Sequence, residues 1–197
     1  MSNFTFAKDY LLHRLKANNR HGVHSPFVYN LIDNVIYDYA DKEVYREMGE
    51  DWERRAGSAG IKLKVVRLLY RLTKHFDPAT IIHPGNADPI IKCCLHKAAP
   101  NAGLYTQENP PAKADLIYIE ADDSKDNALK HSNQSLPSVH EDTVLILAGI
   151  YKSAGMKQAW AQAKNHPQVT LTIDLFWIGL VFFKSGRAEK EHFRVKY

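Results

Sequence analysis

Val169-Thr170-Leu171-Thr172-Ile173-Asp174-Leu175 and Gly179-Leu180-Val181-Phe182-Phe183 are two largely apolar runs with only Phe176-Trp177-Ile178 between them. Parallel neighbours need a crossover of a dozen or more residues, so these two runs are predicted to pair as an antiparallel hairpin. Working back from the hairpin, Thr143-Val144-Leu145-Ile146-Leu147 is a nearly all-apolar strand, the pattern of a strand covered on both faces. Asp115 to Glu120 is a second strong strand, Thr80-Ile81-Ile82 a short one, and Gly103 to Gln107 a weaker candidate. Helical stretches lie between them: Pro89 to Ala98, Asp123 to Leu136, and Ser153 to Asn165, with Ser153 placed to cap the last. Strands alternating with helices predict an α/β sheet with mostly parallel strands, closed by the antiparallel hairpin.

Upstream, residues 1–76 read as helical. Phe4, Ala7, Leu11 and Leu15 recur at helical spacing. Arg20 to Pro26 interrupts that pattern, and Ser25 before Pro26 predicts a helix start, the serine hydroxyl capping free amides and proline taking the first position. Phe27, Val28, Leu31, Ile32, Val35 and Ile36 give the next helix a wide apolar face. Asp41 to Arg55 is dense in charge, a solvated helix or a mobile arm. Gly57-Ser58-Ala59-Gly60 is a flexible break. Ile61, Val65, Leu68, Leu69, Leu72 and Phe76 mark a further amphipathic helix, ended by Asp77-Pro78. The organisation expected is a helical extension over residues 1–76 packed on an α/β core over 77–197.

Hydrophobic residues are 45% and charged residues 24% of the 197, ordinary usage for a globular domain, which excludes a disordered tail, a collagen-like chain and a low-complexity scaffold. The longest apolar run, Leu175 to Phe183, falls short of the roughly 20 residues that cross a bilayer. Met1 to Arg14 lacks the basic region and apolar core of a secretory signal. No membrane partner is expected. A formal net charge of +4 is mild, and the basic lean of Lys184, Arg187, Lys190, Arg194 and Lys196 does not make a nucleic-acid stripe. Cys93 and Cys94 are adjacent on a predicted helix, where neighbouring side chains diverge, so no disulfide joins them. A reduced, cytoplasmic protein is expected.

Parallel strands closing with an antiparallel hairpin resemble the class I S-adenosylmethionine-dependent methyltransferase fold. Arg20-His21-Gly22-Val23-His24-Ser25-Pro26-Phe27-Val28 is similar to the N-terminal signature of a group of bacterial O-methyltransferase-like proteins. Leu136 to Leu147 and His166 to Phe183 resemble the same group, and Arg67-Leu68-Leu69-Tyr70-Arg71-Leu72 sits where that group has the helix leading into its first strand. The resemblance covers most of the chain. It implies a Rossmann-like sandwich, S-adenosylmethionine as cofactor and transfer to an oxygen nucleophile.

Three positions depart from that pattern. The glycine-rich turn after the first strand, which lets backbone approach a cofactor, reads Ile82-His83-Pro84-Gly85-Asn86-Ala87-Asp88-Pro89. His83 stands at the acidic position and only Gly85 remains as glycine. Asp88-Pro89 reads as an ordinary N-cap and first helical proline, a carboxylate that would occupy the amides and repel a methionyl carboxylate. Glu108 matches the family's ribose-holding acid. After it, only Asn109-Pro110-Pro111-Ala112-Lys113-Ala114 precede the next strand, a reach of roughly 20 Å at most, so the family's third strand and its flanking helices are expected to be missing. Finally, Ala148 and Gly149 stand where related O-methyltransferases carry paired metal-binding aspartates, and neither offers an oxygen ligand. Glu120 replaces the usual aspartate after the fourth family strand, followed by Ala121-Asp122-Asp123.

Other clusters carry less. His21 and His24 with His13 could ligate zinc only with a further ligand that the sequence does not place nearby. Cys93, Cys94 and His96 diverge on a helix, and Phe176, Trp177, Phe182 and Phe183 read as sheet core. No metal is expected. The fold expected is a class I methyltransferase-like α/β sandwich with a shortened sheet, in family numbering 2-1-4-5-7-6. Two functions follow as expectations. One is a methyltransferase-like protein with lost or impaired cofactor binding, acting as a binding or assembly module, with a homo-oligomer as partner. The other is an active O-methyltransferase on an unknown small molecule. In that case Gly85, Glu108 and Glu120 line S-adenosylmethionine, and His21, His24 or Tyr151 stand near the acceptor as candidate catalytic groups.

Overall fold

Val144–Ala148 (β4) lies inside the sheet because its side chains are apolar in both directions. It pairs in parallel with Leu116–Glu120 (β3) and antiparallel with Ile178–Phe182 (β6). Alternate residues divide between two cores. Val144, Ile146 and Ala148 join Leu116 and Tyr118 on one face, and Leu145 and Leu147 join Ile117 and Ile119 on the other. A computed structural model describes residues 3–19, 22–55, 61–120, 127–185 and 189–197 of the chain. His21, the break predicted at Gly57 to Gly60, and Ala121-Asp122-Asp123 with the predicted start of the following helix lie outside the described residues.

The remaining elements are α1 (Asn3–Lys16), α2 (Pro26–Leu31) running into a wider π-type turn at Ile32–Ile36, α3 (Glu43–Arg55), α4 (Leu63–Phe76), β1 (Thr80–His83), α5 (Pro89–Ala98), β2 (Gly103–Thr106), α6 (Asn127–Ser135), α7 (Ala154–Asn165), β5 (Leu171–Asp174) and β7 (Glu191–Arg194). The seven strands form one sheet in the order β2-β1-β3-β4-β6-β5-β7. The first six follow the expected order. Residues 103–106 do pair, in parallel with β1 from Thr80↔Gly103 to His83↔Thr106. No strand intervenes between β2 and β3, whose linking residues are all described, in keeping with the short connection. β5 and β6 form the predicted hairpin, from Leu171↔Phe182 to Asp174↔Gly179. β7, which the charged sequence Glu191-His192-Phe193-Arg194 did not advertise, extends the sheet in parallel on β5. Asn18, just past α1, bridges to Val195 beyond it.

Three local expectations are corrected. Ser25 takes the N-cap position of α2 with Pro26 following, but its hydroxyl makes no capping hydrogen bond. Asp41 to Arg55 is neither fully solvated nor an arm: α3 buries Tyr45 and Met48 in the core shared with α2 and α4. In α1 the residues that carry the helical spacing face outward, with Phe4 80%, Leu11 61% and Leu15 73% exposed. The helix docks instead by Phe6, Tyr10 and His13, whose rings meet Phe176 at 5.2, 4.9 and 5.5 Å. By contrast, Ser153 accepts a hydrogen bond from the Met156 amide at 3.1 Å, as its place before α7 predicted.

β6 packs against α7 so closely that a methyl group on Gly179 would lie 2.6 Å from the Trp160 ring. Gly179→Ala should cost about 1–3 kcal/mol by overpacking, measured by urea unfolding. Trp160→Phe in the same chain should return part of that loss.

Candidate functional site

Residues at the C-terminal ends of parallel strands converge on the turn after β1, the usual place for a ligand in such sheets. The turn is held from within. His83 is buried, with its Nδ1 2.7 Å from the carbonyl of Pro84. The Ala87 amide donates back to the Pro84 carbonyl at 2.9 Å. Asp88 caps α5 as its sequence predicted, Oδ1 accepting from the Ile90 amide at 2.8 Å. The Asp88 amide itself donates to Glu120 Oε1 at 3.1 Å, and the Lys92 ammonium donates to the Gly85 carbonyl at 2.8 Å. A methyl group on Gly85 would stand 3.3 Å from a carboxylate oxygen of Glu108. Gly85, Glu108 and Glu120, the three candidate cofactor residues, therefore meet around one turn.

Glu120 is the electrostatic centre of this group. Its second oxygen accepts from the buried Tyr118 hydroxyl at 3.1 Å. Burial raises its pKa; the Asp88 amide and the Tyr118 hydroxyl oppose this, while nearby Asp88 adds to it, and the net shift is upward. Burial, followed by the Glu120 charge, pushes the Tyr118 hydroxyl well up, so it is a fixed donor at neutral pH.

The candidate acceptor side lies past the end of β4. Gly149 has φ 73°, in the left-handed region that disfavours a side chain there. Its amide donates to the Trp177 carbonyl at 2.7 Å. Tyr151 is not free to meet a substrate oxygen: its hydroxyl donates to Asp174 Oδ2 at 2.6 Å, and its ring stacks on Phe176 at 4.8 Å. Burial, followed by that hydrogen bond, pushes the Tyr151 hydroxyl strongly up. His24 is exposed in the segment before α2, whereas His13 reaches the group, 3.0 Å from Asp174 Oδ1. Asp174 is the residue sequence reasoning missed here, and His13, weighed there only beside His21 and His24 as a zinc ligand, is its partner. The one available signal was an aspartate inside the apolar run from Val169 to Phe176. Among the described residues no three His, Cys, Asp or Glu side chains group to hold a metal ion, and no helix is long and apolar enough to cross a membrane.

No protein-family model matches the sequence, and no curated protein matches it. Solved structures do. A methyltransferase from Geobacter sulfurreducens superposes with a TM-score of 0.53 at 12% identity, over 82% of this chain and 98% of that one. The S-adenosylhomocysteine-bound methyltransferase PaMTH1 of Podospora anserina gives 0.56 at 10% identity, over 83% and 100%. The O-methyltransferase TomG of Streptomyces achromogenes, solved with S-adenosylmethionine, gives 0.54 at 10% identity, over 78% and 95%. The chain has the fold of the class I S-adenosylmethionine-dependent methyltransferases, a Rossmann-like sandwich.

Because the Glu120 pKa is higher in the folded chain, the folded state binds its proton more tightly than the unfolded state does. The stability this adds is present below the unfolded value and is lost as pH rises through the folded one. Glu120→Gln keeps an acceptor for the Asp88 amide and removes the buried charge. Its melting temperature, measured by calorimetry, should gain on the wild type as pH rises above the ordinary carboxylate range.

Proposed function

We propose that this chain is a methyltransferase-fold protein that has lost cofactor binding and methyl transfer and works as a binding or assembly module. One observation carries the reading: the turn after β1 is occupied by the protein's own groups. The Asp88 and Ile90 amides go to Glu120 and Asp88, and the Glu108 carboxylate lies against Gly85. These residues do not fit S-adenosylmethionine, because the donors a methionyl carboxylate needs are taken by carboxylates that would also repel it. On the acceptor side, Tyr151 is committed to Asp174 and the expected metal positions are Ala148 and Gly149. Transfer requires donor and acceptor held together in a narrow geometry. The convergence of Gly85, Glu108 and Glu120 on one turn favours the second reading, an O-methyltransferase with an altered pocket.

Calorimetric titration with S-adenosylmethionine and S-adenosylhomocysteine decides between the two. No heat at millimolar ligand is expected. Saturable binding at micromolar ligand would instead establish an altered but working cofactor pocket.

The assembly partner we propose is a second copy of the chain, in a reducing bacterial cytoplasm where Cys93 and Cys94 stay free. The support is the outward apolar stripe of α1, Phe4, Leu11 and Leu15, which a two-fold axis would pair with itself. Light scattering should give a dimer for the wild type and a monomer for the Leu11→Asp, Leu15→Asp double variant. A wild-type monomer at high concentration would end the idea.

A further inference from the structure

Away from Gly85, Glu108 and Glu120, a cavity of about 350 Å³ opens between α4, the segment after the π-type turn, and Tyr197. That volume is at the small end of sites for organic ligands. Three cations of α4 line it, Lys64, Arg67 and Arg71, at a spacing that puts them on one helix face. Arg71 is only 7% exposed. Its guanidinium donates to the carbonyls of Val35 (2.7 Å) and Ile36 (3.1 Å), and to the hydroxyls of Tyr197 (3.2 Å) and Tyr45 (3.5 Å). All four acceptors are neutral.

Arg67 makes one long bond, to the Tyr45 carbonyl at 3.4 Å, and its buried Nε–H has no partner among the described residues. Among those residues no carboxylate pairs with any of the three cations. Lys64 is pushed down by burial and then by its like-charged neighbours Lys62 and Arg14, and its ammonium lies 5.0 Å from the centre of the Tyr197 ring. Asp38 and Asp41 also line the cavity, and of the two only Asp38 is ion-paired among the described residues, with Lys42. Its ammonium lies 2.8 Å from the Asp38 carboxylate, and its amide donates to Asp41 at 3.1 Å. Tyr39, Tyr45 and Tyr197 supply flat apolar walls, and Tyr39 is 70% exposed at the mouth.

We propose that this cavity binds a small aromatic oxyanion, with a carboxylate or phosphate head at Lys64 and Arg67 and a flat ring among the tyrosines. A guanidinium N–H buried without a partner is well matched by an oxyanion, often two-pronged, and among the described residues no carboxylate is ion-paired with Arg67 or Lys64. A cationic ligand would be repelled, and a neutral ring would leave the Arg67 Nε–H unpaired.

The test titrates the full chain with phenyl phosphate, benzoate, inorganic phosphate and benzyl alcohol. It reads calorimetric heat and the Arg67 Nε–H resonance by nuclear magnetic resonance. Saturable binding of phenyl phosphate or benzoate is expected, and the stronger of the two identifies the head group. Arg67→Gln and Lys64→Gln should each weaken it by about tenfold, and added salt should weaken it further. Lys64 is exposed and Arg67 half-buried, and circular dichroism checks that both variants keep the fold. Failure of both aromatic anions to saturate overturns the proposal, as do equal binding of benzyl alcohol and affinities unchanged in both variants. Inorganic phosphate binding as tightly as phenyl phosphate overturns the aromatic part. The result is independent of whether S-adenosylmethionine binds.

Discussion

Asp174, a carboxylate only 5% exposed at the end of β5, ties together parts of the chain that are far apart in sequence. His13 reaches it from α1, Tyr151 from the turn after β4, and the Phe176 amide from its own hairpin, at 3.0, 2.6 and 3.0 Å. Arg194 adds an ion pair from β7 at 3.5 Å, without the geometry of a hydrogen bond. Since Asp174 offers His13 only acceptors, the Nε2–H of His13 is the donor in this contact. Burial pushes the Asp174 pKa up, but the hydrogen bonds from His13 and Tyr151 outweigh it and hold it below the ordinary value. Removing one partner of such a buried group costs on the order of 3–5 kcal/mol. The left-handed backbone of Phe176, φ 68°, persists because this network and the surrounding rings fix it.

That network also bears on function. In this fold, chemistry happens beyond the C-terminal ends of the strands, and here α1 is fastened across that end of β5. The turn after β1 is closed in the same way, by carboxylates that satisfy its amides. Both rims thus satisfy their polar groups by contacts within the chain. The same logic makes the α4 cavity stand out, because there a polar group is unmatched: the Arg67 Nε–H has no partner among the described residues, whereas Asp88, Glu120 and Asp174 are all hydrogen-bonded.

Much of the site could be read from local pattern. Asp88-Pro89 announced its own cap, since an N-cap bond spans two residues. The short link after Glu108 announced the missing strand, because chain reach is a property of length alone. The bond from Asp88 to Glu120 spans 32 residues and the pairing of His13 with Asp174 spans 161, so no periodicity could signal either. β7 was missed for a related reason: its half-exposed, charged residues look like a strand only because β5 offers a free edge.

The order of six strands came with the resemblance to a known fold; from sequence alone came the alternation of strands and helices, the closing antiparallel hairpin and a turn after β1 with a single glycine. Each follows from spacing or from the backbone freedom of single residues, which are written locally. Only the folded molecule decided which side of α1 is buried. The period of Phe4, Leu11 and Leu15 says that they share a face, but the partner surface built by Phe176, Trp177 and Asp174 binds the other one, through rings and a buried charge that must be satisfied.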